Sequence, residues 1–234
     1  MIPNDLKNEL LAFAKECREK HIPVVREKTA EILCKLIENQ CPKNVLELGT
    51  AVGYSATLML KTCGTCNLVT VDVNADMCKK AYEVFVKYNV ENRAQIVNDD
   101  ILNFLQLATY ENNAEFFTEK NSNNDILATG NYDNLYKTKL PEKFDLIFLD
   151  GPKGQYIKYY PYLKKLIAKG GVIFCDDVLY FGMVLDDSKV IHKKITIVRN
   201  LREFLKLAQN DDDFESELLD VEDGILILKS KHKG

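Results

Sequence analysis

The sequence predicts an α/β fold, a mainly parallel sheet with helices on both faces, and three observations carry that prediction. Strand-like and helix-like segments alternate along most of the chain, the pattern left by repeated strand–helix–strand crossovers. Two strand candidates, residues 144–149 and 171–175, are apolar at almost every position, as expected of strands buried on both faces. The length of 234 residues, with 46% apolar and 28% charged side chains, suits a single domain with a sizeable core.

In chain order, residues 1–40 hold two N-terminal helices. The first places Leu6, Leu10, Leu11, Phe13 and Ala14 at helical spacing, the second Ile32, Leu33, Leu36 and Ile37. After the break at Pro42 come a strand at 44–48, a strand at 68–71, a helix at 77–88, a strand at 94–97 and a helix at 101–107. The strand at 144–149 leads to a helix at 156–168 and the strand at 171–175. A helix at 197–208 and strands at 216–221 and 224–228 close the single domain, 1–234. Residues 109–141 interrupt this rhythm: seven asparagines and no periodicity predict an exposed insertion.

Composition narrows the function classes. A formal charge of -4 gives no global basic field, so any contact with nucleic acid must come from a local patch. No apolar run approaches the roughly 20 residues that span a bilayer. The N-terminal segment is charged and helical in pattern, and the expected location is cytoplasmic. Seven scattered cysteines predict reduced thiols, and the lone Cys63-Gly64-Thr65-Cys66 reads as two loop thiols rather than a redox or zinc site.

The strand at 44–48 runs into Gly49, and a helix opens near Gly53, Tyr54 and Ser55. Glycines at both ends let the backbone approach a ligand, and a helix N-terminus offers free N–H groups. The G-x-x-x-G spacing is not the G-x-G-x-x-G of dinucleotide-binding dehydrogenases, and no Gly-Lys-Ser/Thr marks a P-loop. Glu47 ends the first strand, where it can meet the ammonium or sulfonium region of a cationic cofactor. Asp72 ends the second strand, where an acidic side chain holds ribose hydroxyls. Together these favour S-adenosylmethionine over NAD. The expected cofactor set is Glu47, Gly49, Thr50, Gly53, Tyr54, Ser55, Asp72, Asp99, Asp100 and Asp150.

Ligands of parallel sheets sit beyond the carboxyl ends of the strands, so Gly49, Asp72, Asp100, Asp150 and Asp176 should share one rim. Asp150, Asp176 and Asp177 follow the two buried strands. Three carboxylates at an apolar rim repel one another, and a hard divalent cation, magnesium or manganese, relieves that repulsion through oxygen ligands. Lys153 is placed either to neutralise the cluster or, if its pKa is depressed by burial beside the metal, to take a proton as catalytic base beside Asp150. An acceptor with two neighbouring oxygens would chelate the cation and lose its hydroxyl proton more easily.

VLELGTAVGYSA (residues 45–56), FDLIFLDGPKGQY (144–156) and GGVIFCDDVLYFGMV (170–184) resemble the cation-dependent O-methyltransferases of the catechol and caffeoyl-CoA type. The resemblance spans nearly the whole chain outside 109–141. It implies a Rossmann-like S-adenosylmethionine-dependent methyltransferase fold with a seven-stranded sheet, and a homodimer. It also implies cation ligands at Asp150, Asp176 and Asp177, a catalytic Lys153, and cofactor contacts from Glu47, Gly49, Ser55 and Asp72. The family's usual third ligand is asparagine, so Asp177 adds a negative charge.

Lys153-Gly154-Gln155-Tyr156, KHIPVVREKTAEIL (20–33) and Val221-Glu222-Asp223-Gly224 are similar to a bacterial branch, the tRNA 5-hydroxyuridine methyltransferases that make 5-methoxyuridine at the wobble base. The 5-hydroxyl and 4-carbonyl of that base are neighbouring oxygens, as in a catechol. An RNA partner calls for phosphate contacts, and Lys189, His192, Lys193, Lys194, Arg199 and Arg202 form a basic stretch beside the acidic rim. Of these, Lys193, Lys194 and Arg199 are the expected RNA contacts, with Tyr180 or Phe181 stacking on a splayed base. The alternative acceptor is a small catechol-like or phenolic molecule. A catalytically silent cofactor-binding module is the reading from another class, and the Asp150/Lys153/Asp176 set argues against it.

Overall fold

A computed structural model describes residues 4–110 and 140–231, and the insertion expected over 109–141 lies outside them apart from its ends. The first half contains α1 (Asn4–Glu19), α2 (Glu27–Gln40), β1 (Asn44–Leu48), α3 (Tyr54–Cys63), β2 (Asn67–Asp72), α4 (Ala75–Lys87), β3 (Ala94–Asn98) and α5 (Ile101–Ala108). The second contains β4 (Phe144–Leu149), α6 (Tyr156–Leu166), β5 (Ile167–Cys175), α7 (Ile195–Gln209), β6 (Phe214–Leu219) and β7 (Ile225–Ser230).

The seven strands form one sheet in the order β3-β2-β1-β4-β5-β7-β6. The first five run parallel, and β7 is antiparallel to both β5 and β6. The chain winds outward from β1 to β3, then returns and winds the other way from β4, so strand order reverses between β1 and β4. A crevice opens at such a reversal, beyond the carboxyl ends of the strands.

Two cores cover the two faces. One packs α5, α6 and α7 on the sheet through Phe104, Tyr156, Tyr160, Leu163 and Phe204, with both tyrosine rings edge-on to Phe204 at 5.7 Å. The other packs α2, α3 and α4 through Leu33, Ile37, Met59, Ala81 and Phe85. Leu10 and Ala14 bury α1 in this second core, and Phe13 meets the ring of Tyr54 at 6.2 Å. The near-continuous apolar sequences of β1 and β4 follow from burial on both sides.

Several boundaries differ from the sequence expectation, and three of the differences have a local cause. The helix expected over 156–168 stops at Leu166, because β5 starts at Ile167. A skip in the β4–β5 ladder, from Phe144↔Ile167 to Leu146↔Val172, absorbs the extra residues near Gly170, whose φ is 74°. The helix expected from Met77 begins at Ala75, where the Asn74 side chain accepts the amides of Asp76 and Met77. The sixth strand lies two residues earlier, from Phe214, whose ring belongs to the core. The seven cysteines are free thiols; Cys63 closes α3 and its Sγ–H reaches the Pro42 carbonyl at 3.3 Å.

Candidate active site

A cavity of about 380 Å³ lies at the β1/β4 reversal. The glycine turn after β1 makes one wall, through Gly49, Thr50, Ala51, Tyr54 and Ser55. Asp72 and Val73 after β2, Asp100 and Ile101 after β3, and Asp150 to Lys153 after β4 make the next. Gly49 is required here for space as well as conformation. Its φ is 112°, and a Cβ would stand 2.5 Å from the Asp150 carbonyl oxygen, so only glycine lets the turn pass beneath the end of β4. Gly53 starts α3 at φ 76° and packs against Phe85 and Ala81 rather than on the cavity.

Glu47 stands behind this wall, fully buried. Its carboxylate accepts Ser55 Oγ and Thr70 Oγ1, each at 2.5 Å, and Thr70 in turn meets Thr50 Oγ1 at 2.6 Å. Burial pushes its pKa up to about 8, against the two hydroxyl donors that lower it. The glutamate therefore ties strand, turn and helix together from beneath. Asp72 faces the cavity and braces the turn: its carboxylate accepts the Ala51 amide at 2.9 Å and the Asn74 amide at 2.8 Å. Asp100 lines the cavity while capping α5 through the amides of Leu102 and Asn103. Asp99 lies outside the lining and holds the Asp100 amide at 2.8 Å.

The acidic rim assembles at the ends of β4 and β5. Asp150, Asp176 and Asp177 each present a carboxylate oxygen, and the three oxygens lie within 4.8 Å of one another. Asp176 is buried and its Oδ1 accepts the Asp177 amide; Asp177 has φ 55°. That left-handed turn directs two consecutive carboxylates to one site. Burial, then the neighbouring carboxylates, push Asp176 up to about 8, and burial likewise raises Asp150. Three hard oxygen donors short of positive charge fit a divalent cation of the magnesium or manganese type.

Lys153 reaches Asp150 Oδ1 at 2.5 Å, Asp177 Oδ2 at 3.5 Å and the Tyr156 hydroxyl at 3.0 Å. The Tyr156 hydroxyl also faces the carbonyls of Leu149 and Asp176, which fixes it against both strand ends. Burial and the surrounding carboxylates act on the lysine in opposite directions. Burial does pull it down, but Asp150, then Tyr156, Asp177 and Asp176 outweigh that and hold Lys153 well above the ordinary lysine value. Beside unshared carboxylates it is an ammonium ion.

Sequence reasoning missed the segment between α1 and α2. Pro23, Val24 and Val25 close the cavity, and Arg26 reaches Asp177 at 3.2 Å and Asp223 at 3.7 Å. Glu222 accepts the Lys28 and Thr29 amides and the Thr29 hydroxyl, so the β6–β7 turn is joined to the start of α2. The two segments that resemble the tRNA-modifying branch thus meet in space. The added charge of Asp177 has its partner in Arg26.

The basic stretch is only partly available. Arg202 is committed to the Met183 and Val184 carbonyls and to Asp187 at 2.7 Å. Lys194 lies 5.5 Å from the ring centre of Tyr180, while His192, Lys193 and Arg199 are exposed. Tyr180 is 9% exposed and packs in the core, so it offers no stacking face; Phe181, 64% exposed, does. Phe181 has φ 58° and its amide donates to Asp223.

Among the described residues no helix is long and apolar enough to cross a membrane. The family described as O-methyltransferase matches residues 4–126 and 117–231 of the chain. A protein named "Probable caffeoyl-CoA O-methyltransferase 1" from Dictyostelium discoideum is 25% identical over 225 residues, covering 96% of this chain and 85% of that one. The caffeoyl-CoA O-methyltransferase of Populus kitakamiensis is 28% identical over 217 residues, covering 89% and 77%. Among solved structures, an O-methyltransferase from Bacillus cereus, in complex with SAH, superposes with TM-score 0.73 at 22% identity, covering 99% and 93%. TomG from Streptomyces achromogenes, in complex with SAM, gives 0.72 at 19%, covering 95% and 89%. The fold is that of these methyltransferases, and the chain belongs to the O-methyltransferase family, the cation-dependent type that its three motifs resemble.

Proposed function

We propose that this protein transfers a methyl group from S-adenosylmethionine to one of two neighbouring oxygens on an acceptor, with magnesium or manganese as cofactor. The observation that carries this reading is the meeting of Asp150, Asp177 and Lys153 in the wall of the cavity bounded by the glycine turn, with Asp176 buried against them. Asp72 and Asp100 suit the polar groups of the cofactor's nucleoside, and the turn from Gly49 to Ser55 suits its amino-acid end. Asp150, Asp176 and Asp177 hold the cation. A cation held there would chelate the acceptor's neighbouring oxygens, lower the hydroxyl pKa and share the carboxylate charge that keeps Lys153 protonated, while the cofactor would supply the methyl group. Lys153 is then the group placed to take the hydroxyl proton, with Tyr156 fixing its ammonium end. The Pro23–Val25 segment and Tyr159 restrict water on the remaining sides.

For the acceptor, the reading we favour is 5-hydroxyuridine at the wobble position of tRNA. Exposed Phe181 is a stacking face beside the rim, and exposed Lys193 and Arg199 provide cations for phosphates. The names of the Dictyostelium and Populus relatives support a second reading, a small phenolic acceptor. Mass spectrometry of tRNA nucleosides from a deletion strain separates the two. Loss of 5-methoxyuridine with accumulation of 5-hydroxyuridine supports the tRNA acceptor; unchanged tRNA excludes it and leaves the phenolic one.

A further inference from the structure

Asp150, Asp176 and Asp177 converge beside the cavity, Arg26 connects Asp177 to a fourth carboxylate, Asp223, and Lys153 faces Asp150 and Asp177. Lys153 is confined to the inner side, against Asp150 and Asp177. Arg26 is shared across the outer side, with Nη1 on Asp177 and Nη2 on Asp223. The shared position is built from elements distant in sequence. Arg26 immediately precedes α2, whose first amides are held by Glu222, and Asp223 is the next residue of the same turn. Asp223 is itself oriented by the Phe181 amide, so the carboxylate facing Arg26 has a fixed direction.

A divalent cation on Asp177 and a guanidinium on the same carboxylate oppose one another. Arginine cannot relieve the conflict by losing its proton. It can relieve it by moving its whole interaction to Asp223, which the geometry already offers.

Resting on the cation reading above, we propose that Arg26 and Asp223 are positioning residues that set cation affinity: Asp223 draws Arg26 away from Asp177 when the cation arrives. Arg26 is thus a competitor for Asp177, and Asp223 is the acceptor that makes the competition mild. The arrangement lets the rim carry a third anionic ligand without leaving Asp177 uncompensated, and it links the closing segment of the cavity to the cation site.

Titration of the purified full chain with Mn2+, followed by calorimetry and by the electron paramagnetic resonance signal of free Mn2+, tests this without measuring turnover. Arg26→Met should tighten Mn2+ binding by roughly three- to tenfold, the size expected for one partly screened charge. Arg26→Lys, which keeps the charge, should stay close to wild type. Asp223→Asn, which still accepts the Phe181 amide, should weaken binding by a similar factor because Arg26 then stays on Asp177. In the Arg26→Met background that effect of Asp223→Asn should largely vanish. Weaker binding in Arg26→Met, or a full Asp223→Asn effect in the double variant, overturns the relay while leaving the cation reading intact. Wild-type protein that binds no Mn2+, or Asp176→Asn that binds it as well as wild type, overturns the cation reading and the relay with it.

Discussion

Lys153 has contacts that make two demands on one side chain. Its ammonium is held by Asp150 at 2.5 Å and Asp177 at 3.5 Å, which favours the charged form, whereas the proposed transfer chemistry needs it to accept a proton. On the cation reading proposed above, a cation sharing the carboxylates would reconcile the two, by weakening the charge that opposes burial. Lys153→Met keeps much of the stem and removes the base, so we expect kcat to fall by about 10²- to 10⁴-fold with little change in cofactor affinity. Steady-state kinetics with a cofactor-binding titration checks this, and full activity in that variant would falsify the assigned role. Glu47 has a different signature. Its pKa is raised by burial from an ordinary 4.5 to about 8, so between those values the folded chain holds more protons than the unfolded chain. Stability contributed by the protonated form is present below pH 4.5 and is lost as pH rises toward 8. Glu47→Gln should flatten that decline in thermal melts of the ligand-free protein. A residual slope of the same sign is expected from Asp176, also raised to about 8.

At the level of helices and turns, the site is made by strand ends whose following residues are unusual. The stretch after β5 runs through left-handed conformations at Asp177, Tyr180, Phe181 and Gly182, and only the last is glycine. Such φ values disfavour ordinary side chains, and here they are held by specific bonds: Asp176 on the Asp177 amide, Asp223 on the Phe181 amide. The result is a tight loop that buries Tyr180, exposes Phe181 and brings two carboxylates to the rim. The cap of α4 is a simpler case. Asn74 receives two amides, and Asn74→Ala should cost about 1 kcal/mol in chemical denaturation. The backbone N–H that Asn74 donates to Asp72 survives this substitution, so the loss of stability should come with little change in cofactor affinity, and a variant as stable as wild type would show that the cap contributes nothing. Alternation of apolar runs was enough to find these helices and strands, but not their ends. Caps, a ladder skip at Gly170 and the early start of β5 depend on backbone geometry that apolar periodicity does not encode.

For the molecule as a whole, the catalytic reading depends on five strand ends sharing one rim, and the parallel order β3-β2-β1-β4-β5 places them there. A cation held only by rim carboxylates should be removable without unfolding the sheet. Prolonged dialysis against EDTA is therefore expected to abolish methyl transfer while the circular dichroism spectrum stays unchanged, and Mg2+ or Mn2+ should restore it. Transfer that persists after chelation would remove the cation from the mechanism. Much of this was legible in the chain: the glycine spacing, the acidic strand ends Asp72, Asp150 and Asp176, and the lysine three residues after Asp150 are local patterns, and local patterns survive in a linear sequence. What required the folded protein was everything set by contact between distant segments. Arg26 meets Asp177 and Asp223 across most of the chain, Glu47 is turned beneath the cofactor wall, Tyr180 is buried while its neighbour Phe181 is not, and the charge of Lys153 follows from which carboxylates surround it. The α/β class and the placing of the acidic residues at strand ends were set by patterning, because apolar runs must be buried, whereas strand order and the point where winding reverses came from the folded sheet. Which charges meet was set by tertiary packing, because electrostatic interaction depends on distance and burial rather than on spacing along the chain.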